Sequence, residues 1–170
     1  FWFDILQAFP NYSEANKKLM IEDGIDINDD KAVLTYSINQ MKSFMERCNK
    51  IIHRHNPKIP IYYNGITKIT GSPYAMNNLK YNLFDYNTKQ DLEDLPTTWD
   101  GYDIFPFRSK FFASDGKQIV AMSGKFHSAW GEFGGFKHRD ALLYEVASMV
   151  AFGANVNIGD QLHPSGLMDM

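Results

Sequence analysis

The stretch that decides the fold is Ala154-Asn155-Val156-Asn157-Ile158-Gly159-Asp160-Gln161-Leu162-His163-Pro164-Ser165-Gly166, near the end of the chain. Its first residues alternate in polarity as a short strand does, and the strand runs into a glycine. A carboxylate, Asp160, and an imidazole, His163, follow within a few residues. In α/β barrels the loops after the carboxyl ends of the strands hold the catalytic groups. The stretch therefore predicts a barrel-type site, with further parts of that site elsewhere in the chain.

The composition is that of one globular domain spanning residues 1–170. The chain is 44% hydrophobic and 15% aromatic, which allows a sizeable core. Its net charge is -3 and no basic face stands out, so nucleic acid is not an expected partner. The single cysteine, Cys48, excludes an internal disulfide and a cysteine-based zinc site. No apolar run approaches the roughly 20 residues of a membrane span, so no membrane partner is expected. Nothing in the sequence calls for a cofactor.

Both ends of the sequence read as cuts in a longer protein. The opening Phe1-Trp2-Phe3-Asp4-Ile5 has the pattern of a strand buried on both faces. Natural domains seldom begin inside such a strand. We therefore expect a fragment, and the sequence leaves the cellular compartment undecided.

Strands and helices alternate along the chain. A short helix follows Ser13, and a long one runs from Asp29 or Asp30 to Asn56. The long helix carries an apolar stripe with alternate spacings of four and three, formed by Leu34, Ile38, Met41, Met45, Cys48 and Ile52. Further strands are expected over 59–65, 89–94, 118–122 and in the final stretch, and further helices over 105–114 and 140–152. Residues 66–87 indicate only one helical turn.

This alternation predicts an α/β fold with parallel strands and right-handed crossovers. A doubly wound open sheet and most of a (β/α)8 barrel both fit it. No Gly-x-Gly-x-x-Gly follows a strand, which weakens the dinucleotide-binding sheet. Acidic and aromatic residues follow nearly every strand instead, which favours a barrel whose rim binds a polyhydroxylated ligand.

Carboxylates at two of the predicted strands suggest glycoside hydrolysis. Asp4 lies in the first strand, and Asp91, Glu93 and Asp94 lie on or just after the third. Asp91 and Glu93 share a face by the period of two. Retaining hydrolysis needs two carboxyl groups about 5–5.5 Å apart, and inversion needs a wider gap. The alternatives are an Asp4 bonded to backbone amides and an acidic loop in solvent.

The loop over 124–136 is rich in glycine and aromatic residues. Trp130 could stack on a sugar ring and His127 could donate to its hydroxyls, or the loop could be a packed aromatic cluster. Trp99 and Tyr102 suit the same platform role. Asp160 and His163 could also bind a metal, but the usual ligand spacings are missing.

Taken together these segments resemble a known family. They include Trp2-Phe3-Asp4-Ile5, Tyr63-Asn64-Gly65, Leu92-Glu93-Asp94-Leu95-Pro96-Thr97, Trp99-Asp100-Gly101-Tyr102-Asp103, Trp130-Gly131-Glu132-Phe133-Gly134-Gly135-Phe136-Lys137 and the final stretch from Ile158 to Gly166. Their order resembles that of the hypothetical glycosyl hydrolase family 6 barrels, which are related to α-L-fucosidases and to β-galactosidases with trimerisation domains. The chain departs from the family at Pro10-Asn11-Tyr12-Ser13, where a Pro-Cys-x-Cys is usual, at Thr98, and over 66–87.

The resemblance implies a C-terminal part, about strands four to eight, of a (β/α)8 TIM barrel truncated at both ends. Asp4 would then end strand four as the nucleophile. The acid/base would be on strand six, which corresponds to the cluster of Asp91, Glu93 and Asp94, and of these Glu93 is preferred. Both roles are carried over from related barrels.

The sequence therefore predicts a retaining exo-glycosidase in the longer protein, which could be a homo-oligomer. Five strands do not close an eight-stranded barrel, so this stretch alone is expected to be inactive. The residues expected to bind the carbohydrate substrate are Trp2, Asn64, Asp91, Trp99, His127, Trp130, Asp160 and His163. The alternatives are a barrel that binds carbohydrate without cleaving it and a metal-dependent hydrolase using Asp4, Glu93 and His163.

Overall fold

A computed structural model describes residues 1–70, 72–99, 101–132 and 134–168. The described strands are β1 (Trp2–Phe3), β2 (Tyr62–Tyr63), β3 (Gln90–Glu93), β4 (Ile119–Gly124) and β5 (Asn155–Gly159). The described helices are α1 (Glu14–Glu22), α2 (Asp30–His55), α3 (Pro73–Lys80), α4 (Ile104–Ala113) and α5 (Arg139–Ala151). A 3-10 helix spans Leu83–Tyr86. The chain divides into two compact units, Phe1–Thr88 and Lys89–Met170, which are described in turn.

In the first unit, α2 packs its predicted stripe against β1 and β2. Ile38, Met45 and Ile52 are buried in one cluster with Ile61 and Tyr63. The helix begins after Asp29, whose carboxylate accepts from the backbone amide of Lys31. The apolar period of α2 thus places this unit's core as the sequence predicted.

The opening strand is shorter and more exposed than its sequence predicts. β1 has two residues, and its parallel partner is β2. Phe1, Trp2 and Ile5 are 63%, 47% and 65% exposed, and Asp4 is exposed as well. Ile5 has a φ of 47°, a left-handed conformation that ends the strand. The prediction of a strand buried on both faces is therefore wrong for this chain.

Residues 66–87 contain more helix than expected. α3 has eight residues, and the Ser72 hydroxyl caps it by accepting from the backbone amide of Ala75. Pro73 occupies the first turn, where a missing N–H costs nothing. Beyond the 3-10 helix, the Asn87 side chain accepts from the Tyr63 amide at 2.7 Å, so this segment lies against β2.

In the second unit, β3, β4 and β5 form a parallel sheet in that order. Ser123 on β4 donates to Glu145 of α5 at 2.5 Å, so the Ser123 face of the sheet lies toward α5. Glu93 pairs in register with Met122, and Gly124 pairs with Gly159. Since side chains alternate, these four residues lie on the opposite face.

The α/β class and the parallel strands are confirmed. The strands form one sheet of two and one of three, and the described residues form no closed barrel. Among these residues no helix is long and apolar enough to span a membrane.

Candidate active site

The carboxyl end of β3 holds two buried carboxylates. Asp91 is 2% exposed and Glu93 is 9% exposed. The strand's alternation places both side chains on one face, as the sequence predicted. The guanidinium of Arg108, from α4, donates to the backbone oxygen of Glu93 at 2.7 Å and fixes this end of the strand. The acidic residues therefore do not form a solvated loop.

Trp130 contacts Glu93 directly. Its indole Nε1 donates to Glu93 Oε1 at 2.6 Å. The Phe126 ring meets the indole edge-to-face, with centroids 5.9 Å apart. Trp130 is partly buried. The tryptophan expected to be a sugar platform or a core residue is therefore the hydrogen-bond partner of the candidate acid/base.

The indole lies over two glycines that are side-by-side register partners on the neighbouring strands β4 and β5. A Cβ built on Gly124 would lie 2.7 Å from Trp130 Cζ3, and one built on Gly159 would lie 2.2 Å from the same atom. Real Cβ contacts essentially never fall below 3.0 Å. Both positions consequently require glycine for as long as the indole lies there.

The loop that carries Trp130 closes on itself. The Lys137 amide donates to the Lys125 carbonyl at 2.8 Å, where the loop begins and ends. Within it, the hydroxyl and the backbone amide of Ser128 donate to Glu132 and lower the pKa of that carboxyl group. His127 is exposed on this loop, where its imidazole can reach a ligand.

Asp160 lies just after β5 and is paired with a lysine. Its Oδ2 is 3.2 Å from Lys125 Nζ, and the two side chains are 14% and 28% exposed. Its Oδ1 accepts from the Gln161 amide at 2.8 Å. Asp160 thus joins the ends of β4 and β5, and Lys125 is a site residue that the sequence did not single out.

His163 lies apart from these contacts in a small turn. Its ring bonds to the Ser165 hydroxyl at 2.9 Å, and Leu162 forms an antiparallel bridge with Met168. His163 is exposed. Within the described ranges no three His, Cys, Asp or Glu side chains are grouped so that they could together hold a metal ion.

A buried charge pair lies on the α5 side of the sheet, opposite the face that carries Glu93. Lys137 Nζ lies 2.6 Å from Glu145 Oε2, and each side chain is 1% exposed. Ser123 bonds to both, and Tyr102 donates to the other carboxylate oxygen at 3.4 Å. Burial and Glu145 together raise the pKa of Tyr102. No sequence pattern identifies this pair, because neither residue lies in a predicted strand end.

Trp99 is also in this unit, where it is partly buried beyond β3. Its amide donates to the Leu95 carbonyl at 3.0 Å in the turn after the strand. Among the described residues, no hydrogen bond or ring contact joins Trp99 to Trp130.

In the first unit, Asp4 and Asn64 each follow a strand. The Asn64 amide donates to the Phe3 carbonyl, and the Asn64 carbonyl accepts from Leu6, both at 2.8 Å. Asn64 is buried, whereas Asp4 is exposed, so the expected buried carboxylate is wrong. Trp2, on β1, is also exposed. Parallel pairing brings the ends of β1 and β2 side by side, with Asp4 reachable from solvent.

The parallel α/β fold of this chain has a solved counterpart. The chain is similar to a fucosidase. The match is to α-L-fucosidase isoenzyme 2 from Paenibacillus thiaminolyticus, with 35% identity and a TM-score of 0.86. It covers 99% of this chain and 24% of the fucosidase, so the chain spans about a quarter of that enzyme's length.

The likeness supports a glycosidase-related fold in which this chain corresponds to part of a fucosidase. It agrees with the fucosidase relationship expected from the sequence, and it does not confirm the narrower assignment to hypothetical glycosyl hydrolase family 6. No protein-family model matches the chain, and no curated protein sequence matches it.

Proposed function

We propose that this chain is part of a (β/α)8 catalytic domain of a retaining exo-glycosidase that acts on α-L-fucosides. The observation that carries the proposal is the 35% identity over 99% of the chain to a solved α-L-fucosidase. Because a fold alone does not specify a reaction, the proposal also depends on the side chains at the strand ends.

Asp4 is proposed as the nucleophile. It follows β1 directly, at the carboxyl end of the strand, where barrels hold their catalytic groups. The carboxylate oxygen would bond to the anomeric carbon as the aglycone oxygen leaves, which gives a glycosyl-enzyme. Water would then displace Asp4 and release the sugar with its original anomeric configuration.

Glu93 is proposed as the acid/base. Its carboxyl group would give a proton to the leaving oxygen and then take one from the attacking water. At 9% exposure it is shielded from most of the solvent, and Trp130 holds one of its oxygens. A restrained carboxyl group in a partly dry site keeps the same position when it gives a proton and when it later takes one back.

Binding of the sugar is proposed for the remaining side chains of the predicted site. His127 and His163 are exposed imidazoles that could donate to hydroxyls. Asp160 and Asp91 offer acceptor oxygens, and Trp2, Trp99 and Trp130 offer apolar ring faces. Asn64, buried between strand ends, would act through its neighbours.

A substrate panel tests the proposal. The complete protein that contains this chain is assayed against 4-nitrophenyl glycosides, and the first-formed anomer is followed by proton NMR. We expect the α-L-fucoside to be hydrolysed fastest and α-L-fucose to appear first. Binding of L-fucose without turnover of any glycoside would favour the non-catalytic carbohydrate-binding alternative.

A further inference from the structure

The Trp130 indole contacts two glycines at the strand ends and also the carboxylate of Glu93. Its ring edge lies over Gly124 and Gly159, and its N–H points to Glu93 Oε1 at 2.6 Å. The two glycines pair in register across β4 and β5, and neither projects a side chain. They leave a flat surface for the indole, and we call this glycine pair the seat. We infer that Trp130 is a positioning residue, seated on this glycine pair, that fixes which oxygen of Glu93 carries the proton. The inference rests on the proposed acid/base role of Glu93.

The chemistry follows from the indole's hydrogen-bonding capacity. An indole nitrogen donates one hydrogen bond and accepts none. Glu93 Oε1 is therefore the acceptor. A protonated Glu93 then places its hydrogen on Oε2, because a carbonyl oxygen accepts a hydrogen bond better than a hydroxyl oxygen does. Trp130 thereby selects the oxygen that exchanges a proton with the substrate, and it also limits rotation of the carboxyl plane.

The seat explains why the sequence has glycine at the ends of both strands. Neither Gly124 nor Gly159 adopts a left-handed φ, so backbone conformation does not demand glycine there. What demands it is the closeness of Trp130 Cζ3, at 2.7 Å and 2.2 Å from the two constructed Cβ positions. An alanine at either position would lift the indole and carry its N–H away from Glu93.

The first test removes the donor and keeps a ring. In Trp130→Phe of the complete protein, we expect kcat for the α-L-fucoside to fall about 10- to 100-fold while KM changes little. A structural defect that disordered the site would instead be expected to change KM as well. An unchanged kcat, or a fall in kcat accompanied by an equal rise in KM, would contradict the positioning role.

The second test examines the seat by a double-mutant cycle. Gly159→Ala should lower the unfolding midpoint and kcat in the wild-type background. In a Trp130→Ala background the same substitution should have almost no effect, because the indole that it strikes is gone. Gly135→Ala is the matched control, since its Cβ would meet His127 Cβ at 3.1 Å instead. The effects of Gly135→Ala should be the same in both backgrounds. If the effects of Gly159→Ala were also the same in both, the indole would not pack on the glycine pair as inferred.

Failure of the inference can be told from failure of the proposed function. If Glu93→Gln abolishes turnover while Trp130→Phe retains the full kcat, only the inference fails. If the wild-type protein hydrolyses no glycoside, the proposed function fails. The unfolding cycle then still decides the seat, and the indole N–H marker band in the wild-type minus Trp130→Phe resonance Raman spectrum decides the bond to Glu93.

Discussion

Trp130 donates to the carboxylate of Glu93 at 2.6 Å across 37 residues of sequence. The bond joins the loop after β4 to the carboxyl end of β3, and it places an aromatic donor beside the candidate acid/base. It gives Glu93 a fixed orientation that an acidic residue in an open loop would lack.

Replacement of Glu93 by glutamine should lower kcat/KM with a dependence on the leaving group. We expect a loss of about 10²- to 10⁴-fold for alkyl or disaccharide fucosides, whose leaving oxygens need a proton. The loss should be smaller for 4-nitrophenyl fucoside, which leaves as a stable anion. Glu14→Gln, on α1 with a side chain that is 91% exposed, is the control and should behave as wild type. Equal losses for both substrate types would argue against general acid catalysis by Glu93.

The buried pair of Lys137 and Glu145 should matter for stability. Lys137→Met leaves the almost fully buried Glu145 without its cationic partner, and we expect it to cost about 3–5 kcal/mol of unfolding free energy. Lys17→Met, which breaks the exposed pair with Glu14, should cost far less. Urea denaturation of both variants measures the difference. Comparable losses would show that the buried pair is not held as described.

Glycine at position 5 should be tolerated unusually well. Ile5 is 65% exposed with a φ of 47°, so Ile5→Gly loses little burial and removes backbone strain of about 1–3 kcal/mol. We expect the unfolding free energy to be unchanged or higher. Ile51→Gly is the matched control, because Ile51 is similarly exposed within α2 and should cost about 1 kcal/mol. A larger loss at position 5 than at position 51 would exclude the strain.

Alkaline stability should depend on Tyr86. Burial, with the bond to Glu46 second, raises the pKa of Tyr86 to about 12 from an ordinary 10.0. A group with a raised folded-state pKa contributes stability that is present below pH 10 and is lost between about pH 10 and 12. In Tyr86→Phe the decline of stability over this window should be shallower. Tyr74→Phe, at an exposed position on α3, is the control and should leave the slope as in wild type. A wild-type slope in Tyr86→Phe as well would show that burial of the Tyr86 hydroxyl does not govern stability in this window.

The sequence predicted the elements well wherever a single period governs them. The stripe of α2 has the spacing of the face that it buries, so Ile38, Met45 and Ile52 lie in the core as expected. The opening strand failed because its apolar residues indicate burial only if neighbouring strands cover them. Ile5 also turns the backbone where a continuous strand was expected.

The sequence pointed to candidate site residues and could not give their partners. Glu93, Trp130 and Asp160 were all singled out, yet nothing in sequence spacing shows that the first two bond or that Asp160 pairs with Lys125. Such contacts depend on strand register, which brings Gly124 beside Gly159 and opens the space for the indole. A glycine at the ends of two strands, followed by a loop with a tryptophan, is the one signal that could have indicated it.

The central claim is that Asp4 forms a covalent bond with the sugar. The most direct measurement is turnover of 4-nitrophenyl α-L-fucoside by Asp4→Ala in the complete protein, with and without sodium azide. The account predicts near-complete loss of turnover without azide, and recovery with azide that yields a fucosyl azide of inverted anomeric configuration. Undiminished turnover in Asp4→Ala would contradict it and remove Asp4 from the mechanism.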